Sequence, residues 1–233
     1  MRAVVSRYQT RRGAVVALCL LIVMALATSA MAQKAVHQIL QRIGPGHPKG
    51  AETAPVMIEE FSDFQCAYCG KFSRETLPRL IDAYVDTGKV RWVFRHYAIL
   101  GPGSKAAAEA SACAGAQGQF WPYHDRLFVV QGQRAFNRES LLHMAQELQL
   151  DVSDFTRCLD TGRFRAQVEG ETSAAVALGL EGTPGFIING RSIAGALPFD
   201  VFQSVIDAAL ATAASGYSPV PQSNSSATQA PSK

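Results

Sequence analysis

After residue 32 the chain has no Lys/Arg cluster, and its formal charge over 233 residues is only +3. The footprint of a nucleic-acid partner is therefore missing. There is one CxxC and no second one, and no close His pair accompanies it. A zinc site would lack its remaining ligands, so no bound metal is expected, and nothing in the sequence asks for a cofactor. No internal repeat is present, which excludes solenoids and propellers. Only one apolar run approaches membrane-spanning length, which excludes a multi-pass membrane protein. With 48% hydrophobic and 18% charged residues, the composition excludes a disordered chain or a collagen-like fibre. Cysteine is scarce and odd in number, at five.

The odd cysteine and the positive charge share one source. Arg2, Arg7, Arg11 and Arg12 precede an apolar or small run of 15 residues, Gly13 to Ala27, and Ala30-Met31-Ala32 follows. Charged start, apolar middle and small-residue exit are the layout of a secretory signal cut after Ala32. Fifteen residues rise only about 22 Å as a helix, short of a ~30 Å hydrocarbon core, so a retained anchor is the lesser alternative. Removing residues 1–32 takes away Cys19 and leaves 18 basic against 19 acidic residues, a balance of −1. Cys66, Cys69, Cys113 and Cys158 remain, an even set suited to an oxidising, extracytoplasmic compartment such as the periplasm.

Residues 33–50 are read as a lead-in arm, a short helix followed by a Gly/Pro stretch. Pro55–Phe61 and Val90–Tyr97 are short apolar runs, consistent with buried strands. Between them, Cys66–Thr87 has helical spacing at Leu77, Leu80, Ile81, Tyr84 and Val85, with a kink expected at Pro78. Residues from about 101 to 180 are predicted as a helical insertion, broken near Gly118, Gly132–Asn137, Leu150 and Gly162. Gly185–Ile188 and Arg191–Ala194 flank Asn189-Gly190, a strong hairpin signal. A last helix is expected over Phe199–Ala213, and residues 215–233 are Ser/Pro/Gln-rich and predicted to be disordered. The order β-α-β, helical insert, β-β-α describes an α/β domain over 51–214. Phe120, Trp121, Tyr123 and Phe128 read as core. His96, His124 and His143 suggest no triad.

Cys66-Ala67-Tyr68-Cys69 lies just after a predicted strand, where a helix begins. Unpaired N–H groups and the positive end of the helix dipole favour a thiolate at Cys66, and only the thiolate attacks disulfides. Cys69, one turn on, would be the buried partner that resolves the mixed disulfide. A structural Cys66–Cys69 disulfide or a zinc site are competing readings; so tight a loop constrains little of the unfolded chain. Glu60 shares a strand face with Val56 and Ile58, and a carboxylate on an apolar face has a raised pKa. The alternative is that Glu59 points inward instead.

Phe61–Gly70 (FSDFQCAYCG), Gln117-Gly118-Gln119-Phe120-Trp121, and Gly182-Thr183-Pro184-Gly185-Phe186 with Ile188-Asn189-Gly190 resemble the DsbA-like branch of the thioredoxin superfamily. That resemblance covers roughly residues 50–213. It implies a thioredoxin fold with an inserted helical subdomain, and thiol–disulfide exchange with cysteines of exported client proteins. It implies re-oxidation by a membrane quinone-linked thiol oxidase and a donor of disulfides, with a disulfide reductase or isomerase as the alternative, because a single CxxC does not fix the direction of exchange. A non-catalytic, chaperone-like peptide-binding module is the alternative outside enzymes. The resemblance places Thr183 and a cis Pro184 opposite the CxxC, to bind substrate together with Tyr68. It makes Glu60 the acid that moves a proton to or from Cys69. Strongly oxidising relatives carry a His in the dipeptide, whereas this chain has Ala67-Tyr68, which implies a less oxidising pair. Cys113 and Cys158 are expected to form a structural disulfide closing a loop of about 45 residues.

Overall fold

The computed structural model describes residue 24, residues 31–132 and residues 136–215. The expected signal segment, apart from residues 24, 31 and 32, and the tail beyond residue 215 lie outside the described residues.

Five strands form one mixed sheet in the order β1-β3-β2-β4-β5. At its centre β2 (Val56–Ser62) and β3 (Val90–His96) run parallel, paired from Val56 with Val90 to Ser62 with His96. Both strands are buried along almost their whole length because helices cover both faces. β4 (Gly185–Ile188) pairs antiparallel with β2, and β5 (Arg191–Ala194) closes a hairpin against β4. The two turn residues have φ of 45° at Asn189 and 85° at Gly190, the left-handed pair that a two-residue hairpin needs. The Asn189 side chain also accepts from Met57 N–H at 3.1 Å, tying the turn back to β2.

The lead-in arm is more than an arm. Residues 31–42 form a helix, α1, and His47–Lys49 add β1 antiparallel to β3 at the sheet edge. Three residues that include Pro48 carry no alternation to read, and proline is tolerated there because the strand is an edge. The stretch after the CxxC is also divided. α2 (Ala67–Glu75) stops at Thr76, α3 (Leu77–Leu80) starts afresh with Pro78 in its first turn, and a π-helical turn over Ile81–Val85 completes the crossover. Pro78 has no N–H to continue the ladder, so the kink expected there is a break two residues earlier.

One sheet face packs on α2, α3 and α9 (Phe199–Ala214) through Phe72, Trp92, Phe186 and Phe202. The other packs on α1 and α8 (Arg165–Ala177) through Phe61, Leu40, Ala175 and Ile187. Between β3 and β4 lie α4 (Pro102–Gly115), α5 (Phe120–Val130), α6 (Arg138–Glu147), α7 (Val152–Asp160) and α8. Tyr123, Leu127, Leu141, Met144 and Phe155 form the core of this insert. Side chains of Asn137 and Asp151 cap α6 and α7 by accepting from Ser140 N–H and Asp154 N–H, both at 2.9 Å. The architecture is a thioredoxin fold with a helical insertion.

Cys113 on α4 and Cys158 on α7 are bonded, with Cα atoms 5.9 Å apart and 45 residues between them in sequence. The bond joins the first long helix of the insert to its fourth. Chain entropy for a loop of that size corresponds to about 4 kcal/mol. Replacing both cysteines by Ser is expected to lower the unfolding free energy by about that much, read as a shift in the denaturant midpoint with the CxxC held reduced. A shift below about 1 kcal/mol would show that the insert is held by packing alone.

Candidate active site

The β2–α2 junction delivers both cysteines. Cys66 is the N-cap of α2, with extended backbone, and its sulfur accepts from Cys69 N–H at 3.5 Å. Cys66 is 7% exposed and Cys69 is fully buried, both as free thiols. Three residues apart, the two groups are driven in opposite directions. The Cys69 thiol donating to the Cys66 sulfur, reinforced by the Thr183 side chain and then by the N–H groups of Cys69 and Tyr68, outweighs burial and lowers the Cys66 pKa to about 5. Burial, together with that same donation to Cys66, pushes the Cys69 thiol far above its ordinary value.

Thr183-Pro184 is a cis peptide, and it faces the CxxC. The Cys66 S–H donates to the Thr183 carbonyl at 3.2 Å. Tyr68 stands at the opening of α2 with 69% of its surface exposed. The structure thus brings Cys66, Cys69 and Thr183-Pro184 together, with Tyr68 at the rim. Cys113 and Cys158 lie apart in the insert.

Glu60 lies on the β2 face that carries Val56, Ile58 and Ser62, beneath α2, and is wholly buried. Its Oε2 accepts from Trp92 Nε1–H at 2.9 Å. Burial pushes its carboxyl up to about 7, against the smaller opposing effects of the Trp92 and Ser62 hydrogen-bonding groups. Glu59 is buried as well, on the opposite face, where Arg95 holds it with Nε at 2.8 Å and Nη2 at 3.2 Å. The choice between Glu59 and Glu60 as the inward residue was therefore no choice: both faces are interior.

Two further residues hold the junction and were not singled out from the sequence. Asp63 Oδ1 accepts from Gln65 N–H at 2.8 Å, and its Oδ2 accepts from Ile99 N–H at 2.9 Å and Leu100 N–H at 3.0 Å. An Asp two residues before a helix cap is a local turn signal that could have been read. Gln131, at the end of α5, donates to the carbonyls of Phe64 at 2.7 Å and Cys66 at 2.9 Å. A Cβ at position 70 would collide with the Gln131 side chain, which is why glycine follows Cys69. His96 and His124 meet in one buried aromatic cluster with Phe64, Phe94 and Phe120, joined by His47, while His143 pairs with Glu147 in the insert. Among the described residues no group of three or more His, Cys, Asp or Glu is placed to hold a metal ion.

A reactive-looking dithiol at the N-terminus of the helix after the central strand, facing a cis-proline loop, defines a dithiol protein of the thioredoxin fold. A family model described as thioredoxin matches residues 43–208. The chain belongs to the thioredoxin family, in the DsbA-like branch indicated by its motifs. A protein of Bacillus anthracis named "Probable disulfide bond formation protein D" is 30% identical over 149 residues, 61% of this chain and 69% of that protein. The crystal structure of oxidised BdbD from Bacillus subtilis superposes with a TM-score of 0.67 at 25% identity, covering 71% of this chain and 93% of that one. A Na+/H+ antiporter NhaA of Salinispora arenicola is 32% identical over 167 residues, 71% of this chain, and the chain spans only 25% of that antiporter's length.

The raised carboxyl of Glu60 has a sign that can be checked. A folded pKa of about 7 against an unfolded value near 4.5 means the fold prefers the protonated acid. That preference is fully present below pH ~4.5 and is lost as pH rises through 7. Glu60→Gln, which keeps the shape and cannot ionise, is expected to match the wild type near pH 4.5. At pH 8 it should be more stable by up to about 3 kcal/mol in denaturant unfolding. Equal stability differences at the two pH values would mean that Glu60 is not driven towards its neutral form.

Proposed function

We propose that this chain is an exported thiol:disulfide oxidoreductase that donates the Cys66–Cys69 disulfide to cysteines of other exported proteins. The observation that carries the reading is the opposite treatment of two thiols one helical turn apart: Cys66 is biased towards thiolate and Cys69 towards thiol. In the oxidised protein a client thiolate attacks the Cys66 sulfur, the Cys66–Cys69 bond breaks, and Cys69 leaves as a thiolate that takes up a proton. A second client thiolate then attacks the client sulfur of the mixed disulfide. The client disulfide forms and Cys66 departs as the stabilised thiolate. Once Cys66 is ionised it no longer donates to Thr183, and that carbonyl is open to an N–H of an extended client segment lying along the cis-proline loop. Tyr68 offers an exposed aromatic face beside it.

The direction follows from the same sulfur. A Cys66 pKa of about 5 lies between the ~7 of reducing thioredoxins and the ~3.5 of the strongest oxidants. A low pKa stabilises the reduced form and so makes the disulfide a better oxidant. The dipeptide Ala67-Tyr68 contributes no charge, in keeping with an oxidant of intermediate strength. Export is supported by the charged, apolar and small-residue order of residues 1–32 and by the Cys113–Cys158 bond. Re-oxidation would fall to a membrane quinone-linked thiol oxidase, which takes the two electrons of the dithiol and passes them to the quinone.

Equilibration of the Cys66–Cys69 pair with glutathione tests the direction. A potential between about −120 and −270 mV is expected, and a value at or below that of thioredoxin, about −270 mV, would overturn the donor role. Cys66→Ser is expected to abolish oxidation of a reduced client peptide. Unchanged oxidation by that variant would overturn Cys66 as the exchanging sulfur.

A further inference from the structure

The Gln131 side chain crosses from the end of α5, in the insert, to the backbone that carries Cys66. Its Nε2 donates to the Phe64 carbonyl at 2.7 Å and to the Cys66 carbonyl at 2.9 Å, so both amide hydrogens are used on one short arc of chain. The Cys66 carbonyl also accepts from Gly70 N–H at 3.0 Å, in the first turn of α2. Two donors on that carbonyl fix the peptide at which Cys66 caps the helix, with φ of −75° and ψ of 118°. This backbone setting aims the sulfur at its own partners, the Cys69 N–H at 3.5 Å and the Thr183 carbonyl at 3.2 Å. The other end of the amide leaves no room over α2, since a Cβ at position 70 would collide with Gln131 Oε1 and lie 2.8 Å from Arg74 Nη1. Arg74 in turn donates to the Phe128 carbonyl of α5 at 3.0 Å, so α2 and α5 are tied on both sides of Gly70. The hold acts unequally on the two redox states. In the oxidised protein the Cys66–Cys69 bond itself fixes Cys66. In the reduced protein, with both thiols free, non-covalent contacts alone keep the sulfur at the helix cap.

We propose that Gln131 is a positioning residue that sets the oxidising strength of the Cys66–Cys69 pair from the helical insert. The inference rests on the exchange activity proposed above and assigns part of its driving force. A contact that stabilises the reduced protein more than the oxidised one makes the disulfide the better oxidant. Gln131 is such a contact, because it holds the cap geometry only where no covalent bond already does so. Its dipole acts in the same sense: the N–H end lies against the peptide of Cys66, on the side where the reduced protein carries a thiolate. Ala67-Tyr68 brings no charge to that sulfur, so the strength of the pair depends on how the sulfur is held. The insert thereby acts on the chemistry of the CxxC without touching either sulfur.

The test compares the equilibrium of the Cys66–Cys69 pair with glutathione in the wild type and in variants of this contact. Gln131→Met keeps the length of the side chain and loses both donors. It should move the equilibrium about tenfold towards the protein disulfide, a potential ~30 mV lower. The Cys66 thiolate, followed by its ultraviolet absorbance, should then titrate at higher pH than in the wild type. Gly70→Ala reaches the same contact from the other side, because its Cβ forces the Gln131 amide off the arc while alanine itself favours the helix. It should lower the potential too, and the double variant should lie no lower than the lower of the two single ones, since both break one contact. Unfolding in denaturant separates positioning from packing: Gln131→Met should cost the reduced form about tenfold more in its unfolding equilibrium than the oxidised form. An unchanged potential in Gln131→Met with both forms weakened equally, or shifts that add in the double variant, would overturn the assignment while leaving the exchange activity standing. A wild-type pair that does not equilibrate with glutathione would instead overturn the exchange activity itself.

Discussion

Glu59 and Glu60 are adjacent on the central strand, and both are removed from water on opposite faces of the sheet. A strand alternates its side chains, so one carboxylate must enter each layer of the fold, and each layer answers differently. On the α8 side Glu59 meets the Arg95 guanidinium through two hydrogen bonds, and Arg95 also lies 3.6 Å from Glu171. Glu171 is buried too, yet His96 and Arg95 more than offset that burial and hold its carboxyl below the usual range. On the α2 side Glu60 finds one indole N–H and no cation, so its carboxyl rises to about 7. Two adjacent acids thus meet different surroundings: Glu59 is paired with Arg95, while Glu60, without a cation, has its carboxyl pushed up to about 7. Environments that push like groups apart in this way are how one fold obtains both an anchor and an acid.

The same separation recurs six residues further along the chain. Cys66 and Cys69 differ by a single helical turn, but the first caps α2 and the second lies beneath it. Donation by the Cys69 thiol lowers the Cys66 pKa, while burial and then that same donation raise that of Cys69, so the asymmetry of the dithiol comes from geometry and not from a charged neighbour in the dipeptide. This geometry must be held from several directions. Asp63 fixes the junction to the loop after β3, Gln131 fixes it to the end of α5, and the Thr183 carbonyl meets the sulfur from the β4 side.

What the sequence made legible was local. The CxxC at a strand–helix junction, the hairpin at Asn189-Gly190 and the phase of Glu60 with Val56 and Ile58 each need only a window of a few residues. The breaks between insert helices were equally readable, because Gly118 and Gly162 and the caps at Asn137 and Asp151 sit where the chain turns. What stayed hidden was pairing at long range or over too few residues. β1 is three residues with a proline, too short to show a period. His96 looked unconnected because its partner, Glu171, is 75 residues away on a helix whose other residues give no sign of a buried acid. Gln131 is one polar residue at a helix end until the fold sets it against Phe64 and Cys66. The burial of Glu59 together with Glu60 is hidden for another reason: alternation tells which residues share a side, but not that both sides are covered.

The helical insert therefore does more than cover the sheet. Its last helix supplies Glu171, which accepts from both the His96 backbone N–H at 2.8 Å and His96 Nδ1–H at 2.7 Å, while His96 Nε2 reaches Ser111 on α4 at 2.9 Å. One acid thus ties α8 to the end of β3, and one imidazole passes that tie on to the first helix of the insert. Exposed pairs such as Arg138–Asp160 contribute at most about 1 kcal/mol and are screened by salt. The buried set of Glu59, Arg95, Glu171 and His96 is different, because removing one member takes a charge partner from the others in a dry interior. That penalty fixes where the insert docks. The docking in turn fixes α5, and α5 ends in the Gln131 amide that holds the carbonyls of Phe64 and Cys66. The reactive sulfur is positioned by a chain of contacts that starts at a carboxylate on the far face of the sheet, and the Cys113–Cys158 bond keeps the helices that carry those contacts joined.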